Sequence, residues 1–117
     1  MEKLRVAVAG AGWAGMMHIQ AYKSSPYAEL VYIADIMEEN AKKLAEEYKV
    51  NYTTSWEELM GKDVQVISIA TPPDTHYEIA KTALEAGIHV LVEKPITLDL
   101  KKAETLVNMT NENKDIK

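Results

Sequence analysis

The sequence predicts a doubly wound α/β domain with a parallel sheet, and three observations carry that expectation. Short apolar segments alternate with amphipathic ones along the whole chain, as strands joined by right-handed helical crossovers require. The apolar segments are almost wholly apolar instead of alternating, which suits strands covered on both faces. Their carboxyl ends break into polar or conformationally special residues: Gly10 to Gly15, Asp35, Thr71-Pro72-Pro73 and Glu93-Lys94-Pro95.

Each element has its own warrant. Leu4 to Ala9 is apolar and bounded by glycine, a first strand. From Trp13 to about Lys23 the positions Ala14, Met17, Ile19 and Ala21 follow a loose helical spacing that Ser24-Ser25-Pro26 stops. Ala28 to Ala34 is the second strand. In the second helix Ala41, Leu44, Ala45 and Tyr48 share one face, opposite a solvated face of Glu38, Glu39, Lys42, Lys43 and Glu46. Asn51 to Thr54 forms a short third strand, and Ser55-Trp56-Glu57-Glu58 reads as a capping box opening a helix of one or two turns. Val64 to Ala70 is the fourth strand. Thr75 and Glu78 form a second capping box for a helix that buries Ile79, Ala83 and Leu84 and closes at Gly87. Ile88 to Val92 is the fifth strand. A last helix begins near Asp99 and is expected to bury Leu100, Ala103, Leu106 and Val107.

Composition narrows the function classes. A chain of 117 residues, 47% hydrophobic and 26% charged, has room for one domain, and buries roughly two thirds of its unfolded surface. A net charge of -5 argues against nucleic acid as a partner, since phosphate contacts need clustered Lys and Arg. No cysteine is present, so disulfides and thiolate metal sites are excluded, and no other residues have metal-ligand spacing. The amino terminus mimics a signal peptide, but Glu2 dilutes its positive start and glycines interrupt its apolar part. No apolar run approaches the roughly 18 residues of a membrane span. Cytoplasm is the expected compartment.

Ligands of doubly wound sheets bind outside the carboxyl ends of the strands. Gly10-Ala11-Gly12-Trp13-Ala14-Gly15 follows a strand, opens a helix and precedes an acidic residue at the end of the next strand, which is the context a dinucleotide site requires. Gly10 permits the tight turn, Gly12 lets the backbone approach a pyrophosphate, and Gly15 lets helix and strand pack closely. The helix starting at Trp13 and Ala14 aims N–H groups and a positive dipole end at the phosphates. A carboxylate at Asp35 suits both hydroxyls of an adenine ribose and repels a 2′-phosphate, and Ile36 and Met37 place no Arg beside it. NAD is favoured over NADP. Asp35 is also placed to be a helix N-cap.

These residues, with His18 behind the glycines, Ile-Ala-Thr-Pro-Pro followed by His76, and Ala-Gly-Ile-His-Val-Leu-Val-Glu-Lys-Pro-Ile from Ala86 to Ile96, resemble the amino-terminal domain of the Gfo/Idh/MocA family, named for glucose-fructose oxidoreductase, inositol dehydrogenase and rhizopine catabolism. The resemblance implies a Rossmann domain of an NAD(P)-dependent oxidoreductase acting on sugars, cyclitols or related polyols. It places Lys94 at the active site near the nicotinamide, and lines the cofactor cleft with Thr71, Pro72, Glu93 and Lys94. The family carries a second α/β domain that forms the substrate wall. That domain is absent from residues 1–117, and Asp115-Ile116-Lys117 read as the lead into a sixth strand, so the chain resembles a truncated domain, expected to bind cofactor without turnover and to form homo-oligomers.

An ammonium at Lys94 would hold a substrate hydroxyl, stabilise developing negative charge or relay a proton. Pro95 makes the preceding peptide bond a candidate for the cis form. His76, in the first turn after Thr71-Pro72-Pro73, is a second catalytic candidate as a neutral imidazole lining the cleft, with packing or capping as the alternative. His18 is assigned a structural role and His89 none. Two other readings stay open at this stage: a stand-alone dinucleotide sensor, and a receiver-type phosphoacceptor domain, which Thr71 and Lys94-Pro95 fit but which lacks its acidic magnesium cluster after strand one.

Overall fold

The computed structural model describes residues 2–113, 115 and 116. Five parallel strands, β1 (Leu4–Ala9), β2 (Ala28–Ala34), β3 (Asn51–Thr53), β4 (Val66–Ile69) and β5 (His89–Val92), form one sheet in the order β3-β2-β1-β4-β5. The order reverses between β1 and β4, whose Val6 to Ala9 pair in register with Val66 to Ile69. That reversal opens a crevice at the carboxyl ends of both strands.

Four helices cover the sheet: α1 (Trp13–Ser24), α2 (Glu38–Tyr48), α3 (His76–Glu85) and α4 (Leu100–Glu112). Alternation along the strands divides the core in two. Val8 and Ile33 pack with Ile19 of α1 and Ala41 and Leu44 of α2. Ala7, Ala9, Ile67 and Ile69 pack with Ile79, Ala80 and Ala83 of α3 and Leu106 of α4. Gly87 closes α3 at φ +78, a left-handed position.

Several local expectations are corrected. β4 is shorter than Val64 to Ala70, although Gln65 N–H donates to Arg5 O at 2.8 Å and Ala70 N–H to Ala9 O at 2.8 Å, extending the ladder beyond its ends. In α1 the buried positions are Gly15 and Ile19, and Met17 and Ala21 face outward, because the inward stripe also takes polar His18 and Tyr22, which apolar periodicity passes over. Neither capping box forms. Trp56–Gly61 is a 3-10 turn, and the Glu58 carboxylate accepts from the Thr53 hydroxyl at the end of β3 instead of reaching back to Ser55. Pro73–Thr75 is a 3-10 turn that leads into α3, so Thr75 is already in helical backbone and its hydroxyl lies 2.6 Å from both Thr71 Oγ1 and Pro72 O.

Leu106 is buried as expected, but Leu100 is 76% and Val107 52% exposed. The cause is topological, since β5 is the outermost strand and no element among the described residues lies beyond it for the flank of α4 to cover. Asp99 caps α4, its carboxylate accepting from Lys101 N–H at 2.8 Å. Asp115 lies in a turn, and buried Ile116 packs in the α3–α4 core without joining the sheet. The end of the expected sixth-strand lead, Lys117, lies outside the described residues.

Candidate functional site

A cleft of about 690 Å³ opens at the carboxyl ends of β1, β2 and β4. It gathers Gly10, Gly12, Trp13, Ala14, Asp35, Thr71 and Pro72 from separate parts of the chain.

The three glycines of the first loop differ in what surrounds them. Gly10 sits at φ +107, and a Cβ there would lie 2.6 Å from the Ala70 carbonyl oxygen. At Gly15 a Cβ would run into the Gly10 carbonyl. Both glycines serve the fold, letting β1 turn beside β4 and α1 close onto that turn. Gly12 is not required to be a glycine by its surroundings: its φ is -81 and a Cβ would meet no atom of the described residues within 4 Å. A glycine that the protein does not need, facing the cleft, leaves room for a ligand to touch backbone. Gly12 is also the N-cap of α1, with no side-chain cap and no acidic residue in the first turn. The first-turn N–H groups and the positive helix end are therefore left for an anion. The residues present fit a pyrophosphate.

Asp35 is shared between fold and site. Its Oδ2 accepts from Ala11 N–H at 2.7 Å and its Oδ1 from Met37 N–H at 2.7 Å, which ties the glycine loop to the turn after β2. The N-cap of α2 is Met37, not Asp35. Each carboxylate oxygen keeps a lone pair for a ribose hydroxyl. Among the described residues no Lys or Arg lines the cleft to neutralise a 2′-phosphate. Ile36, 82% exposed, together with Met37 and Trp56 gives this end an apolar lining suited to an adenine ring. Ile36, Met37, Asn40 and Trp56 are lining residues that sequence reasoning missed. An isoleucine directly after a strand-end aspartate was the available signal for the first of them.

The cleft does not extend to Glu93, Lys94 or His76. Lys94 is exposed in the turn after β5, and the Lys94-Pro95 bond is cis. The Glu93 carboxylate, expected to bind cofactor, is paired with His18 instead of lining the cleft, with Oε1 2.5 Å from Nε2. The hydrogen bond from His18 holds the Glu93 carboxyl below the usual carboxylate range against the opposing effect of burial. His18 thus has the structural role expected of it, with an unforeseen partner.

The expectation for His76 is corrected. Its ring is 1% exposed and does not line the cleft. Nδ1 lies 2.7 Å from the Pro95 carbonyl and Nε2 2.8 Å from the Thr71 carbonyl. Both partners only accept, so a neutral ring with one N–H can serve only one of them at a time. A buried ring occupied in this way cannot touch substrate.

Fold and cleft together define a dinucleotide-binding domain. Residues 4–116 match the family model described as "Oxidoreductase family, NAD-binding Rossmann fold". The UDP-N-acetylglucosamine 3-dehydrogenase of Acidithiobacillus ferrooxidans is 36% identical over 115 residues, which cover 96% of this chain and 35% of that protein. The inositol 2-dehydrogenase of Rhizobium meliloti is 29% identical, over 95% of this chain and 34% of its own length. Among solved structures, GenD2 of gentamicin A biosynthesis, crystallised in complex with NAD, superposes with a TM-score of 0.92 at 34% identity, covering 96% of this chain and 32% of that one. The chain belongs to the Gfo/Idh/MocA oxidoreductase family and is an NAD-binding Rossmann domain of it. It spans about a third of the length of the curated relatives it matches. The receiver-type reading is set aside by this match. Among the described residues no group of three or more His, Asp and Glu could hold a metal ion, and no helix is long and apolar enough to cross a membrane.

Proposed function

We propose that this chain is the cofactor half of a dehydrogenase that transfers hydride between NAD and a carbinol or carbonyl carbon of a sugar, cyclitol or related polyol, in a cytoplasmic homo-oligomer whose second domain supplies the substrate wall. The observation that carries the reading is Gly12, a glycine with open space over it at the uncapped start of α1. NAD, when bound, supplies the hydride acceptor or donor. Gly12, Trp13 and Ala14 would hold its pyrophosphate through backbone N–H groups, Asp35 its adenine ribose, and Thr71 and Pro72 the wall toward the nicotinamide.

Lys94 is the group assigned to the reacting oxygen. Oxidising an alcohol requires loss of the hydroxyl proton as well as the hydride, and an ammonium at that oxygen stabilises the charge that develops when the proton leaves. Closure by a second domain would exclude water and fix the substrate against the Lys94 turn. The test is turnover by a protein carrying both domains, using NADH formation from a panel of polyols and nucleotide sugars. Lys94→Ala should lower kcat by about 100-fold or more with NAD affinity changed by only a small factor. Full turnover in that variant would place the chemistry elsewhere. Turnover by residues 1–117 alone would show that no second domain is needed.

A further inference from the structure

Lys94 stands in an exposed turn at the edge of the sheet, so its position depends on what its neighbours are fastened to. Both neighbours are held by imidazoles, one from each face of the sheet. On the α1 face, the Glu93 carboxylate lies 2.5 Å from His18 Nε2, and His18 Nδ1 lies 3.0 Å from Ser68 Oγ in β4. Ser68 is fully buried and has a second partner in the Tyr22 hydroxyl at 2.5 Å. On the α3 face, His76 joins the Pro95 carbonyl to the Thr71 carbonyl.

We propose that His18 and His76 are positioning residues that together fix the Lys94 turn, and that the buried His76 ring sets the spacing of that turn from the cofactor wall by filling the gap between the Pro95 and Thr71 carbonyls, donating its N–H to one while lying against the other. The proposal rests on the reading of Lys94 as the group at the reacting oxygen. An imidazole suits the task because it is a short rigid ring with a nitrogen on either side, so one side chain spans two segments at a fixed separation, with a hydrogen bond to each where one partner can donate, as for His18, and to one of the two where both only accept, as for His76. His76 lies between Thr71, which lines the cleft, and Pro95, which follows Lys94, two residues far apart in sequence. His18 anchors the other end of the turn to the central strand β4. Neither ring reaches substrate, and both act through Lys94.

The test is residue-resolved hydrogen exchange on this chain, with and without NAD, in the wild type and in His76→Leu, His76→Gln and His18→Leu. His76→Leu should speed exchange of the Lys94 and Ile96 amides and of Asp74 and Thr75 together, by about tenfold, the effect expected from one lost hydrogen bond. The amides of β1 and α2 should stay within twofold. His76→Gln restores an N–H donor and should recover part of the protection; should the leucine variant not fold, this variant carries the comparison with wild type. His18→Leu should loosen Lys94 and Ile96 but leave Asp74 and Thr75 unchanged. In the two-domain protein the same substitutions should lower kcat about tenfold and leave the KM for polyol within twofold. A uniform rise in exchange across the domain, or no change at Lys94 and Ile96, would overturn the proposal. A wild-type chain that does not bind NAD, or full turnover by Lys94→Ala, would remove the reading of Lys94 instead, and the exchange pattern would still decide whether the two rings hold the turn.

Discussion

The two halves of the sheet's carboxyl end are built in different ways. On the β1–β2 side the site is mostly backbone: Gly10 at φ +107, Gly15 against the Gly10 carbonyl, Gly12 under open space, and Asp35 bonded to Ala11 and Met37 N–H. On the β4–β5 side it is a network of side chains, in which His18, Glu93, Ser68, Tyr22 and His76 fasten the Lys94 turn. A backbone site binds what every dinucleotide has in common. A side-chain network places one group against one reacting atom, and it fails locally when one member is removed.

Substitutions at the glycines should give the largest effects and divide the first half from within. Gly15→Ala puts a methyl into the Gly10 carbonyl and should cost about 3 kcal/mol or more, as overpacking against backbone does. In a domain of this size that is a fall of at least about 10 °C in Tm, which calorimetric melting would show. A melting temperature unchanged in Gly15→Ala would mean that the loop is not packed as described.

Asp35 should produce the next effect. NAD should bind more tightly than NADP by roughly 1 to 3 kcal/mol, because the carboxylate gains hydrogen bonds from ribose hydroxyls and repels a 2′-phosphate. Asp35→Ala should abolish the difference and also loosen the glycine loop through the lost Ala11 contact. Equal affinities in the wild type would sink the assignment.

A smaller effect separates the second half from the first. Glu93 has a folded-state pKa below its unfolded one, so its contribution to stability is present above the ordinary carboxyl range and is lost as pH falls through the depressed value. Acid melts of wild type and His18→Leu should converge as pH drops below that range and separate above it. Parallel curves at all pH values would show that the pair is not coupled to folding. The weakest expectation concerns the edge beyond β5, where Leu91 is 52% and Ile96 48% exposed beside Val107. The exposed apolar flank should drive self-association at high protein concentration. Light scattering showing a clean monomer there would reject this.

How much was legible in the sequence follows the same division. Four of the five strands were readable as short apolar runs followed within three residues by glycine, aspartate or proline, whereas β3, the polar and mostly exposed Asn51–Thr53, was legible only from its place between the second helix and the Ser55-Trp56 turn. Gly10, Gly12, Gly15 and Asp35 were readable because their spacing along one βαβ unit is itself the geometry. The pairing of His18 with Glu93 was not, because it joins residues 75 apart in sequence through a tertiary packing that no local pattern encodes. His76 looked like a cleft residue because it follows Thr71-Pro72-Pro73; the 3-10 turn at Pro73–Thr75 leads instead into a ring buried beneath that cleft. Leu100 and Val107 looked buried because helical period shows which face is apolar and says nothing about whether an outer strand lies there to cover it.

The central claim is that the chain's first loop is a cradle for NAD and not only a turn, and calorimetric titration of Gly12→Ala beside wild type tests it most directly. Nothing among the described residues lies within 4 Å of a Cβ at this position, so the variant should melt within about 1 kcal/mol of wild type. Wild type should take up one NAD per chain, and the variant should bind it at least about tenfold more weakly. Unchanged NAD affinity in a stable Gly12→Ala chain, or a wild-type chain that binds no NAD, would contradict the account.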